Sequence, residues 1–254
     1  MGDFGQQLPC PYWQGGPLRD RLKDAAYFTR CIETRVRLAE RARESIESGR
    51  TVPERVPSQR DYIAMQEGAV LMARYSRGDP LGDIAGMLAP YVGDWLAGGE
   101  PDSYSEVLSV ASLAYLLGGD APLLADIWER ARSAREIVTD SITEFVAFGR
   151  RPQGMAHRVL FRAFDSLSAA INDSGPGREA AMRRYLRYWY QRHQGCWWWG
   201  LDKDPEHDLY FGYWAVEAAA VARRLGMDDA PLRRSRYYPY DLAHFLDGRE
   251  GLAS

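Results

Sequence analysis

Three clusters carry the side chains able to do chemistry. His207-Asp208 is a doublet of the kind that holds metal in some helical phosphohydrolases. Such a centre also needs a His upstream and an Asp downstream, for which His157 or His193 and Asp241 are the nominees. Glu217 is the only charged residue between Asp208 and Arg223. A buried carboxyl must be hydrogen-bonded, paired or shifted upward in pKa, and that is also how a general acid looks. Trp197-Trp198-Trp199 precedes Asp202, Asp204, Glu206 and Asp208, four acids against Lys203. This combination suits a basic partner, with Trp198 or Trp199 as anchor.

Each cluster has a plainer reading. The spacing of the doublet to the other His and Asp residues is not diagnostic, so no metal set and no cofactor is assigned. Glu217 has no matching second acid and is read as a hydrogen-bonded structural residue ahead of a catalytic one, so no catalytic residue is assigned. The four acids also suit a helix N-terminus, with Asp204 capping and Pro205 in the first turn. Three successive Trp residues cannot all face one way, so either the segment is covered on several sides or one indole lies near the surface. Arg178, Arg183, Arg184, Arg187 and Arg192 alternate with Tyr185, Tyr188, Trp189 and Tyr190. That pattern resembles a nucleic-acid stacking surface, yet Met182, Leu186, Trp189 and His193 form one helical stripe that reads as buried. No direct contact with nucleic acid is expected.

The elements that position these groups read as helices. Residues 1–16 form an aperiodic tail. Pro17 opens a pattern in which Leu18, Leu22, Ala25, Ile32, Val36, Ala39 and Ile46 fall at alternating spacings of four and three, interrupted by Thr29 and Arg43, up to Gly49. Such a helix would run about 45 Å at 1.5 Å per residue. Further segments are expected at 59–76, with Tyr62, Met65, Ala69, Met72 and Ala73 on one face, and at 81–97, kinked or ended by Pro90. Ser103 and Glu106 have capping-box spacing ahead of 107–117, which Gly118-Gly119 stops. Pro122 opens 122–138, and Ser141 with Glu144 caps the next helix. After a turn at Arg151-Pro152-Gln153-Gly154 come helices near 156–172 and 177–193. A last long helix is expected from Asp204 to Gly226, apolar nearly all round and therefore central, with Phe211, Trp214, Ala218 and Ala222 among its packing residues. In the closing Tyr237-Tyr238-Pro239-Tyr240-Asp241, Asp241 is placed to cap a short helix and the phenols to satisfy buried polar groups. No strand alternation is found. The expected fold is all-α, about eight to ten helices in two abutting parts, 17–135 and 136–254.

The bulk numbers agree with a soluble globular chain of 254 residues, 46% hydrophobic and 26% charged. A net charge of −3 excludes a whole-molecule polyanion binder and confines any electrostatic role to a patch. No apolar run is long enough to span a bilayer, so no membrane is expected, and the N-terminus does not read as a secretory signal. Cys10, Cys31 and Cys196 suggest neither a disulfide framework nor a zinc site, which fits a reduced cytoplasmic protein.

The region DLYFGYWAVEAAAVARRLGMDDAPLRRSRYYPYDLAHF resembles the C-terminal signature of the immunity proteins that neutralise polymorphic nuclease effectors, the PoNi family. The motifs are Phe211-Gly212-Tyr213-Trp214, Glu217-Ala218, Leu225-Gly226-Met227-Asp228-Asp229 and Tyr237 to Asp241. The stretch 19–43, with Lys23-Asp24 and Tyr27-Phe28, is similar to the family's first segment, and EVLSVASLAYLLG at 106–118 fits its middle. The resemblance implies an all-α, non-catalytic bacterial antitoxin that binds a DNA-degrading toxin, delivered by a secretion system such as type VI, in the cytoplasm. On that reading Trp198, Trp199, Asp202, Asp204, Glu206 and Asp208 are the expected toxin-binding residues. The competing expectation is a metal-dependent phosphohydrolase using His207 and Asp208.

Overall fold

The computed structural model describes residues 16–101, 103–133, 141–150 and 162–247. In order the helices are α1 (Ala25–Glu47), α2 (Val56–Arg77), α3 (Leu81–Ala85), α4 (Leu88–Leu96), α5 (Tyr104–Leu116), α6 (Ala121–Ser133), α7 (Ser141–Phe148), α8 (Asp165–Asn172), α9 (Gly175–Arg192), α10 (Val216–Arg224) and the single turn α11 (Tyr240–Ala243). Among the described residues there is no strand. The all-α expectation holds, with ten helices of five or more residues. The Ser141 side chain, the 151–154 turn, His157, Cys10 and most of the tail lie outside what the structure describes.

α1 and α2 form a long antiparallel pair, and α5 sits at the centre against α4, α6, α7 and α10. The centrality of α5 and α10 follows from composition. α10 is buried without interruption from Val216 to Ala222, and its alanines let neighbouring backbones approach closely. Local punctuation acts where expected. Ser103 accepts the backbone N–H of Glu106, while the Glu106 carboxyl turns to the Trp95 indole N–H at 3.0 Å. α3 and α4 are separate helices, with Pro90 in the first turn of the second. In α9, Met182, Leu186, Trp189 and His193 are all buried, and Arg183, Arg184, Arg187 and Arg192 are exposed.

The N-terminal expectation needs correcting. α1 starts at Ala25, not Pro17, with Asp24 accepting the Tyr27 N–H at 2.7 Å. Residues 17–24 are instead held across the end of α2. Arg19 and Asp20 N–H groups donate to the Ser76 carbonyl, and Asp20 accepts the Leu22 and Lys23 N–H groups and the Tyr210 hydroxyl. The buried face is also different: Tyr27, Phe28, Cys31, Arg35, Ala39 and Ala42 point inward, whereas Leu18, Leu22 and Val36 are exposed. The two large rings, being worth more buried area than the aliphatics, turn the helix.

Ion pairs lock the helices laterally. Arg43 joins α1 to Glu67 on α2 and Asp94 on α4, and Arg60 also reaches Asp94. At the end of α2, Arg74 and Arg77 both pair with the buried Asp79 at 2.7 Å. Burial alone would raise the Asp79 carboxyl, but the two guanidiniums outweigh it and hold the pKa below the usual range.

The C-terminal clasp is built differently from expectation. Pro239, not Asp241, occupies the cap position of α11. Asp241 instead receives the Arg19 guanidinium and the Tyr75 hydroxyl, tying the chain's closing turn to α2. Next to it His244 is held by two carboxyls: its Nε2 meets Asp229 at 2.8 Å and its Nδ1 meets Asp247. Asp229 also accepts the Tyr238 hydroxyl, Asp247 pairs with Arg223, and the Tyr240 ring lies 4.5 Å from the imidazole. Burial lowers the His244 pKa, but the bonds to Asp229 and Asp247 together raise it above 6.5. A folded pKa above the unfolded one stabilises the fold fully below the unfolded value, and the contribution is lost as pH rises through the folded value. Urea midpoints of the wild type are therefore expected to fall on going from pH 6.5 upward, and His244→Gln to flatten that slope. A slope identical in the variant would remove His244 as its source.

Candidate interaction site

The polypeptide between α9 and α10 builds the most distinctive surface. The expected long helix from Asp204 is absent; α10 is confined to Val216–Arg224, and residues 204–215 run without helix across α1 and α2. The backbone groups a helix would satisfy internally have tertiary partners instead. Arg35 donates to the Leu209 carbonyl, the Tyr27 hydroxyl accepts the Tyr210 N–H at 2.9 Å, and Ser76 donates to the Phe211 carbonyl at 2.9 Å. The Ala215 N–H goes to the Tyr237 carbonyl. Desolvation raises the Tyr27 phenol to about 12, so it remains a neutral hydroxyl in this role at neutral pH.

The Trp run folds back on α9. Trp198 stacks on Trp189 with centroids 5.1 Å apart and Trp199 on Tyr190 at 5.5 Å. Successive indoles thus clasp successive rings of the last helical turns. Trp197 has no such slot: it is 51% exposed, tilted against Phe211 with centroids 5.6 Å apart, and the Arg35 guanidinium lies over its ring. Two shallow clefts flank it, of about 120 and 430 Å³, sharing Ser103, Ser105 and Trp197 in their walls. The first is floored by Met65, Gly68 and Phe211, the second by Phe164, His193 and Cys196.

The four acids differ in availability. Asp202 accepts the Tyr213 hydroxyl at 2.8 Å and the Tyr190 hydroxyl at 3.4 Å. Asp204 accepts the Glu206 and His207 N–H groups and faces the His207 ring at 3.2 Å. The Glu206 N–H, foremost, holds the Asp204 pKa below its usual value. It caps a turn, not a helix. Asp208 pairs with Arg30 of α1 at 2.8 Å, and Glu206 is exposed. Trp197, Phe211, Leu209 and Asp208 follow one another along a face anchored to α1 by Arg30 and Arg35. Sequence reasoning nominated Trp198 and Trp199 and passed over Trp197; the geometric rule that one indole stays near the surface pointed to the run, not to its member.

The hydrolase constellation is not brought together. His207 faces Asp204, Asp208 faces Arg30, Asp241 faces Arg19 and Tyr75, and His193 donates through Nδ1 to the Trp189 carbonyl inside the core. Among the described residues no three His, Cys, Asp or Glu side chains converge as a metal would require. Glu217 is buried and accepts the Tyr185 hydroxyl and the Trp189 indole N–H, both at 2.6 Å. Among the described residues no helix is long and apolar enough to cross a membrane.

The comparisons agree with this architecture. The crystal structure of protein PA2201 from Pseudomonas aeruginosa is similar over 94% of this chain and 93% of its own, with a TM-score of 0.65 and 19% identity. At that identity the likeness is one of fold. No curated protein matches the chain. Residues 139–242 match the family model described as PoNe immunity proteins (PoNi), C-terminal. That span contains the stacked Trp run, the buried Glu217 and most of the Tyr-rich clasp, so the likeness to the PoNe immunity proteins (PoNi) lies in the C-terminal region of the chain.

Proposed function

We propose that this protein is a cytoplasmic antitoxin that neutralises a cognate DNA-degrading toxin, delivered by a type VI secretion system, by stoichiometric binding and without catalysis of its own. The family match motivates the partner class. The single structural observation that supports the contact is Trp197, left half in solvent between two clefts and shortly ahead of the 202–208 acids in the chain. A nuclease surface that grips DNA phosphates is basic, and carboxyls around an aromatic anchor complement it. Trp198, Trp199, Asp202, Asp204, Glu206 and Asp208 then form the supporting surface, with Glu206 the charge least committed within the chain.

Affinity for the purified toxin tests this. Trp197→Ala is expected to weaken binding by about 30-fold, the loss of a hot-spot anchor of about 2 kcal/mol. Glu206→Lys is expected to slow association several-fold, with the difference shrinking at high salt. Both residues are exposed, so the variants keep the fold. Wild-type affinity in both would move the interface to another face.

A further inference from the structure

A third concavity, of about 260 Å³, forms where the start of the described chain meets its closing loop. Arg19 and Arg21, ahead of α1, and Arg233 and Arg236, ahead of α11, all line it, together with Tyr75 and Tyr240. Arg19 is committed: it pairs with Asp241 and donates to the Tyr75 and Asp79 carbonyls at 3.0 and 2.9 Å. The side chains of Arg21, Arg233 and Arg236 are exposed and have no hydrogen bond or ion pair among the described residues. Arg233 lies over the Tyr240 ring and Arg236 over the Tyr237 ring, each 5.3 Å from the centroid. A ring-face contact positions a guanidinium yet consumes none of its N–H donors. Asp241, the only acid in the lining, is already shared by Arg19 and Tyr75.

Three arginines whose side chains have no ion pair among the described residues therefore line one hollow in a chain whose net charge is −3. Like charges gathered around a concavity repel unless an anion sits among them. We infer that this hollow binds a small, multiply charged oxyanion of the phosphate class. A lone carboxylate satisfies one guanidinium fork and carries one charge; phosphate and pyrophosphate carry enough charge and enough acceptor oxygens for three. The Ser235 side chain in the same wall is a further donor. The inference rests on this hollow alone and stands or falls independently of the toxin interface around Trp197.

Calorimetric titration of the full chain with inorganic pyrophosphate is the test, with sodium chloride and malonate at matched ionic strength as references. Saturable pyrophosphate binding is expected, and Arg21→Gln with Arg233→Gln is expected to weaken it by about tenfold or more, two charge-assisted contacts being lost. Arg184→Gln, on the exposed face of α9, should bind as the wild type does. Thermal melting without anion checks the fold of each variant, and Arg236→Gln serves alone where the double variant melts early. Pyrophosphate heats no larger than those of malonate, or undiminished binding in the arginine variants, would overturn the assignment. A single-stranded oligonucleotide that binds without being displaced by pyrophosphate would do so too.

Discussion

Glu217→Ala is expected to destabilise the protein by about 3–5 kcal/mol, because it strands two buried donors and empties the volume between them. The donors are the Tyr185 hydroxyl and the Trp189 indole N–H, both on α9 and both bonded to the same carboxyl oxygen on α10. Tyr185 is fully buried; its pKa is raised chiefly by desolvation, with the neighbouring carboxyl adding to it. With its pKa raised, it does not escape by ionising. Glu217→Gln keeps an acceptor oxygen in place and should cost about 1–2 kcal/mol. Guanidinium denaturation measures both. The difference in melting temperature for the alanine variant should be about 10 °C, given about 2–4 °C per kcal/mol in a chain of this size. A Glu217→Ala variant as stable as the wild type would show that the carboxyl does not join α9 to α10. Since the role assigned is structural, folded Glu217→Gln should still neutralise the toxin at the wild-type stoichiometry.

Gly212→Ala is expected to be the other severe change. Gly212 has a φ of +103°, and a Cβ built there would lie 1.9 Å from the Ser76 hydroxyl oxygen and 2.5 Å from the Trp214 indole nitrogen. Those two atoms are bonded to each other at 2.8 Å, and the same Ser76 hydroxyl donates to the Phe211 carbonyl. The methyl group would therefore both force a left-handed backbone on a residue that resists it and part a hydrogen-bonded pair from α2. Strain of about 1–3 kcal/mol for the backbone adds to about 1–3 kcal/mol for overpacking. The expected outcome is a loss of about 3 kcal/mol or more, with the segment 204–215 losing protection in hydrogen exchange before the helices do. Equal stability and unchanged exchange in that segment would mean the close approach to Ser76 is not needed. Ser76→Ala offers a milder check, since it removes the bridge without adding bulk.

The two variants probe different kinds of information. The role of Glu217 was readable in advance, because one acid in an otherwise apolar stretch must find donors, and aromatic N–H and O–H groups were abundant upstream. The conformation around Gly212 was not. Phe211, Trp214, Ala218 and Ala222 fall on a helical stripe, so the periodicity favoured one helix from Asp204 to Gly226. Only the part from Val216 to Arg224 forms it.

What the amino-acid order determined by itself was everything that depends on near neighbours. The all-helical class, the stops at Gly49 and Gly118, the Ser103 cap, the buried stripe of α9 and the central place of the alanine-rich α10 rest on spacings of three and four residues. Such contacts form within one or two turns, so a linear pattern contains them. Tertiary structure decided what depends on distant partners. The Tyr210 N–H finds the Tyr27 hydroxyl 183 positions earlier, and the Leu209 carbonyl finds Arg35 174 positions earlier. Once those groups satisfy the backbone, a helix over 204–215 has nothing to gain. The same packing turned the rings of α1 inward and left Val36 outward, and gave Trp198 and Trp199 stacking partners on α9 while leaving Trp197 in solvent. A chain records which side chains can pair; only their meeting in space shows which of them did and which surface was left over for a partner.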